Sequence, residues 1–244
     1  MNRHISFYLL LLLLLSACTS KLNFVSYQAV SLPINSDSLK IASSDISKII
    51  LPYQKELHKE MDKVIGETDQ TLIKAMPDAS LGNFVADVCI DFAEKSIGKP
   101  VDFCVLNTGG IRIPSIQKGA ITVGKIFELM PFDNNIEVVE LSGEKCEELF
   151  LWIAKWRGAP VSRLSLTIST DTFSNVFING VQFDKSKKYL VATTDFMVNG
   201  GDKATMFAGN SVFKTNIKLR DAILNYVTNN KQINGNRSAR VKQY

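Results

Sequence analysis

Apolar residues recur along this chain with two periods, and the switch between them outlines a fold. From Ser44 the steps are of three and four: Ile46, Ile49, Ile50, Tyr53, Leu57, Met61 and Val64 share one stripe, with Gly66 as the stop, which predicts an amphipathic helix. Pro52 falls inside that run and predicts a kink or the true first turn. A second helix is predicted from Ser80, a residue type suited to an N-cap, with Leu81, Phe84, Val85, Val88, Cys89 and Phe92 on its apolar face. Gly98-Lys99-Pro100 ends it. Val101–Leu106 is a short apolar run bounded by turn residues and reads as a strand. There follow a short helix over Thr122–Leu129, a strand over Ile136–Leu141, and a helix capped by Ser142 that carries Leu149, Phe150, Trp152, Ile153 and Trp156.

Beyond Val161 the period falls to two. Leu164–Ile168 alternates, and Val176-Phe177-Ile178 joins Val181-Gln182-Phe183 through Asn179-Gly180, the dipeptide most suited to a tight hairpin. Tyr189–Thr193 is a further strand, and a last amphipathic helix is predicted over about Thr215–Thr228. Helices and strands mix without strict alternation, so the expected class is α+β: one domain over residues 41–244, with mixed sheets flanked by helices.

The first residues change the picture of where the chain works. Met1-Asn2-Arg3-His4 is a short positive segment, Ile5–Leu15 is apolar with seven leucines in a row from Leu9, and Leu15-Ser16-Ala17-Cys18 places small residues before a cysteine. The apolar run falls short of the roughly 20 residues that a membrane span needs and reads as a leader over residues 1–17. Leu-Ser-Ala-Cys resembles a bacterial lipobox, which implies cleavage before Cys18 and its lipidation. Residues 18–40 are then a polar tether, with Phe24–Val30 as a possible edge strand. The expected location is the cell envelope, lipid-anchored through Cys18 and facing the periplasm or exterior.

Loss of residues 1–17 removes Arg3 and no acid, lowering the net charge from +4 to +3. The lysines are scattered, so a nucleic-acid partner is not expected. Cys89, Cys104 and Cys146 lie in apolar stretches and are assigned to packing. His58 is the one histidine after the leader and is expected on the surface. A dinuclear metallophosphatase, a Ser-His-Asp triad and a P-loop each need residues this chain lacks. Catalysis by this polypeptide alone is therefore not expected, nor is a metal or other cofactor bound to it.

Three stretches remain: Asn107-Thr108-Gly109-Gly110-Ile111-Arg112, Met130-Pro131-Phe132-Asp133-Asn134, and Asp195-Phe196-Met197-Val198-Asn199-Gly200-Gly201-Asp202. Glycine after a strand lets backbone approach a ligand. The fork of Arg112 suits phosphate or carboxylate oxygens. Phe132 and Phe196 offer flat faces, and two such faces can hold a base between them. Taken singly, each stretch is better explained as a turn or a packed boundary residue. Their occurrence together, in this order, is not.

Together they resemble the C-terminal, substrate-binding domain of the 5'-nucleotidase / UDP-sugar hydrolase family. Ser80–Asp87 is similar to that family's opening helix, and Gly119–Phe127 to the stretch between its first two motifs. The resemblance covers roughly residues 45 to 240 and implies a nucleoside clamp. Phe132 and Phe196 would stack on the base. Asn107 and Arg112 would reach sugar and phosphate, with Asn134 and Asp202 adding polar contacts. Gly109, Gly110, Asn199, Gly200 and Gly201 would shape the loops. The chain departs from the family at Met76-Pro77-Asp78, where an arginine is usual, and between Gly158 and Leu166. The family's phosphatase chemistry resides in a separate N-terminal metal domain, so divalent metals are expected only in a partner metallophosphatase encoded separately. The alternatives are a nucleoside- or nucleotide-binding lipoprotein without turnover, and a structural remnant that has lost its ligand.

Overall fold

A computed structural model describes residues 45–235 and 239–244. Cys18, the leader and the Phe24–Val30 stretch lie outside the described residues. Residues 51–244 form one compact unit.

The centre of this unit is a five-stranded sheet in the order β12 (Val212–Lys218), β6 (Asn135–Ser142), β11 (Lys188–Thr194), β3 (Phe103–Val105), β7 (Val161–Ser162). Only β11 and β3 run parallel; the other neighbours are antiparallel. Because side chains alternate across a strand, the sheet feeds two cores. Cys104, Val138 and Ala192 face one cluster; Phe103, Val139 and Val191 face the other. The first is closed by α2 (Ser80–Ile97) and α6 (Leu219–Asn230), with Ile65, Ile121 and Ile233 from a small sheet in the order β13 (Gln232–Ile233), β1 (Val64–Thr68), β5 (Gly119–Thr122). The second is closed by α4 (Gly143–Lys155), which lies under a four-stranded sheet in the order β10 (Val181–Gln182), β9 (Thr172–Ile178), β8 (Leu164–Ser169), β14 (Val241–Gln243). This is the expected mixed α+β domain.

Local chemistry explains most element ends. Gly98 ends α2 in the left-handed conformation, φ 66°, where a side chain is disfavoured. Ser142 caps α4 by accepting from the Lys145 amide, and Thr122 caps α3 (Val123–Leu129) in the same way. Asn179 and Gly180, at φ 51° and 76°, make the β9–β10 hairpin turn. Cys89, Cys104 and Cys146 are free and buried, and burial pushes the Cys104 and Cys146 thiols up, the latter to about 12.

Four assignments differ from the sequence reading. Helix α1 runs Asp45–Met61 with Pro52 inside it, and Val64 and Gly66 belong to strand β1 (Val64–Thr68). Gly66 is not a stop: a Cβ there would lie 2.7 Å from the Lys231 carbonyl and from Val227, so glycine serves close packing against α6. The N-cap of α2 is Ala79, and the Ser80 hydroxyl accepts from the Ile73 amide at 3.0 Å, away from the helix end. Thr215–Lys218 continue strand β12, where the Thr215 hydroxyl donates to the Ile136 carbonyl at 2.6 Å; the helix begins at Leu219.

The end of the chain is fixed by charge. The Arg240 guanidinium makes paired bonds to Asp87 at 2.7 and 2.8 Å and donates to the Val161 carbonyl at 2.6 Å. Beside it, Arg163 makes paired bonds to Glu94 at 2.5 and 2.9 Å. No helix among the described residues is long and apolar enough to cross a membrane.

Candidate functional site

The three motif stretches meet because of strand order. β6, β11 and β3 are neighbours in the central sheet. β3 and β11 are parallel and end at one edge; β6 is antiparallel to β11 and starts there. The loop leaving β3 holds Asn107–Arg112, the loop entering β6 holds Pro131–Asn134, and the loop leaving β11 holds Asp195–Asp202. A cavity of about 210 Å³ opens between them, lined by Asn107, Gly109, Gly110, Arg112, Phe132, Asn134, Phe196 and Asp202.

Each loop is rigid behind and exposed in front. Ile111 is buried at 1 % and anchors the first loop, while Arg112 is exposed. The Arg112 amide donates to the Leu129 carbonyl at 2.9 Å, and its guanidinium makes one bond of 3.3 Å, to the Gly109 carbonyl. That guanidinium stands 5.6 Å from the centre of the Phe132 ring, a cation–π distance. Phe132 is 41 % exposed and Phe196 40 %, an uncommon state for two large apolar rings that share one cavity. Between the loops, the Asn107 amide donates to Asp202 Oδ2 at 2.7 Å. The other Asp202 carboxylate oxygen makes no hydrogen bond among the described residues.

The remaining predicted residues shape this arrangement without lining it. Asn199 follows the short helix α5 (Asp195–Val198), its amide bonded to the Asp195 carbonyl at 2.9 Å. Gly200 turns the chain at φ 83°. A Cβ on Gly201 would lie 2.4–2.6 Å from three carbons of the Phe196 ring, so only glycine lets that ring rest where it does. Asp202 sits at φ 50°, in the left-handed region that aspartate tolerates.

Three supporting residues escape a reading of the sequence. Arg220, 8 % exposed in α6, donates to the Pro131 and Phe132 carbonyls at 3.2 and 3.4 Å and pairs with Asp133. It also stacks over Phe127 at 4.5 Å. Hydrogen bonds from Lys218 and Arg220 hold the Asp133 carboxyl below its ordinary value. Trp152, on α4, donates its indole N–H to the Asp202 carbonyl at 2.8 Å. Lys74 donates to the Ile111 carbonyl at 2.7 Å, and burial, then the nearby Arg112, lowers its pKa. None sits in a recognisable local pattern; each acts across a large sequence separation.

Among the described residues no three His, Cys, Asp or Glu side chains converge to hold a metal. His58 is exposed on α1.

The sheet edge thus carries a loop-built cavity with two exposed phenylalanines, an exposed arginine and a hydrogen-bonded Asn–Asp pair. The family model of the 5'-nucleotidase C-terminal domain matches residues 64–209, and the chain belongs to that family. It is 22 % identical to an apyrase of Tabanus yao over 90 % of this chain and 45 % of the relative. It is 25 % identical to a 5'-nucleotidase of Vibrio cholerae over 90 % of this chain and 43 % of the relative. Among solved structures, a 5'-nucleotidase precursor of Thermus thermophilus superposes with a TM-score of 0.71 at 25 % identity, over 81 % of this chain and 42 % of that one. The chain thus spans less than half the length of these relatives.

Proposed function

We propose that this chain recognises the nucleoside part of a nucleotide or nucleotide sugar, as the substrate-binding half of a split 5'-nucleotidase. The observation that supports it is the cavity in which Phe132 and Phe196 share one space with Asn107, Arg112, Asn134 and Asp202. A base enters between the rings, each contact contributing about 1–3 kcal/mol. The unengaged oxygen of Asp202 accepts from ribose hydroxyls, and Asn107 is held in place to assist it. Arg112, at the lip, meets the first phosphate, leaving the phosphoester outside the cavity. Hydrolysis falls to a metallophosphatase on a separate chain, which supplies divalent metals and the attacking water. The setting is the cell envelope, with Cys18 as the lipid anchor.

Calorimetric titration with adenosine, AMP, UMP and UDP-glucose, with phosphate release followed in parallel in added Mn²⁺, tests this. Phe132→Ala and Phe196→Ala should each weaken binding at least about fivefold, the loss of one stacking face. Thermal stability should stay nearly unchanged, since both rings are already exposed. Unchanged affinity in both variants would sink the clamp. Turnover by the chain alone, above the Phe196→Ala control, would sink the split arrangement.

A further inference from the structure

Behind the clamp lies a second, larger concavity that the proposed function does not use. It measures about 530 Å³ and is formed by the end of α4 and the turn after Asp202, within the size range of small-ligand sites. Trp156 is 46 % exposed there and lies against Trp152, ring centres 6.0 Å apart and tilted by 43°. Leu151 and Met206 complete an apolar floor. Lys155 and Lys203 line the rim, both exposed and neither in a hydrogen bond or ion pair among the described residues. Glu148, the acid on the rim, is already paired with Lys145 at 2.8 Å. The free charge of the groove is therefore positive.

An exposed indole beside two unpaired ammonium groups suits a ligand with one ring face and one anion. Indole is the best cation–π and stacking face among side chains. Two unpaired cations on an apolar floor favour a bound anion. We infer that this groove is a second ligand site, which takes a phosphorylated ring compound, base or sugar, with its ring on Trp156 and its phosphate between Lys155 and Lys203. The inference is independent of the clamp: the two cavities share no lining residue. They adjoin where Asp202 of one is followed in the chain by Lys203 of the other, and through the Trp152–Asp202 hydrogen bond.

The chain contains two tryptophans, and both line this groove; the clamp carries phenylalanines. Tryptophan-selective fluorescence of the full chain therefore reads the groove directly. AMP and glucose 1-phosphate are titrated separately, with adenosine and inorganic phosphate as single-feature controls. The expected result is a saturable change with AMP or with glucose 1-phosphate, which also tells base from sugar, and a weaker one with either control. The response persists in a Phe132→Ala/Phe196→Ala double variant and shifts to about tenfold higher ligand concentration in Lys155→Ala/Lys203→Ala. Three outcomes overturn it: no change with either phosphate at millimolar concentration, a response unaffected by the lysine substitutions, or a response that disappears with the two phenylalanines. The last would mean that the indoles report the clamp through Asp202. Loss of calorimetric adenosine binding in the phenylalanine variants, with the fluorescence response to AMP or glucose 1-phosphate retained, would separate the two sites.

Discussion

The clamp and the polar cluster on α2 are both rich in charge, yet they use it in opposite ways. Around Asp87 the cations are fully engaged: Arg240 is paired with Asp87 and bonded to the Val161 carbonyl, and Arg163 is paired with Glu94. In the clamp, Arg112 makes one long bond to a carbonyl, and the phenylalanines beside it are two-fifths exposed. Satisfied charge fastens elements to each other, here the end of the chain to α2. A solvent-facing charge beside exposed rings fastens nothing, and it is this spare capacity that the proposed nucleoside clamp would use.

Substitutions can break this contrast, and the largest effect is expected in the polar cluster. Arg240→Ala removes a largely buried cation, leaves Asp87 with only the Ser162 hydroxyl as donor at 2.6 Å and takes the side-chain donor from the Val161 carbonyl. It should cost about 2–4 kcal/mol in urea denaturation, while the nucleoside affinity of the folded fraction stays as it was. A loss of affinity at full stability would place the cluster in the ligand site. Gly201→Ala comes next. The new methyl must displace the Phe196 ring, which should weaken nucleoside binding about tenfold by calorimetry with about 1 kcal/mol of lost stability. Arg112→Ala should be nearly neutral in denaturation, within about 0.5 kcal/mol. The preference for AMP over adenosine should nevertheless fall about fivefold. An unchanged preference would remove Arg112 from phosphate contact.

The smallest effect sharpens the comparison by pH. Glu137 is buried in β6, and its pKa is raised by burial and then by Asp195, partly offset by Lys214 on the neighbouring strand. A carboxyl raised above its unfolded value contributes stability that is complete below the ordinary carboxylate range and lost as pH rises through the folded value. Glu137→Gln copies the protonated form. It should raise the melting midpoint by about 1–2 °C at neutral pH, a gain that vanishes near pH 4. A gain of equal size at both pH values would mean that ionisation of Glu137 is irrelevant to stability.

The lining of the cavity was legible because each part is contiguous: a strand end, a glycine or proline turn and one distinctive side chain lie within about eight residues. The supports were not. Arg220 reaches the Phe132 carbonyl across 88 residues, and Trp152 reaches Asp202 across 50. Arg220 read as an ordinary position of an amphipathic helix, and Trp152 as core. The strands show the same divide. β8 announces itself by alternation and β11 by a short apolar run, whereas β1 carries Gly66 and follows a helical stripe whose last member, Val64, fits both periods. β12 is half-buried on both sides with Asn216 at φ 57°, so neither periodicity marks it. Even the groove behind the clamp left one trace, Trp156 at the end of the α4 stripe, where helical spacing made it look buried.

The Arg220 contact also bears on how this domain can be dissected. The stretch that matches the family stops at residue 209, before α6 begins. A fragment cut to residues 64–209 would keep all the cavity's lining residues and lose the guanidinium that holds the Pro131–Asp133 turn, together with Arg240 and the strand it fastens. Such a fragment would carry the cavity's motifs without the Arg220 bonds to the Pro131 and Phe132 carbonyls. The stretch that marks the family and the stretch that braces its loops are different lengths of chain.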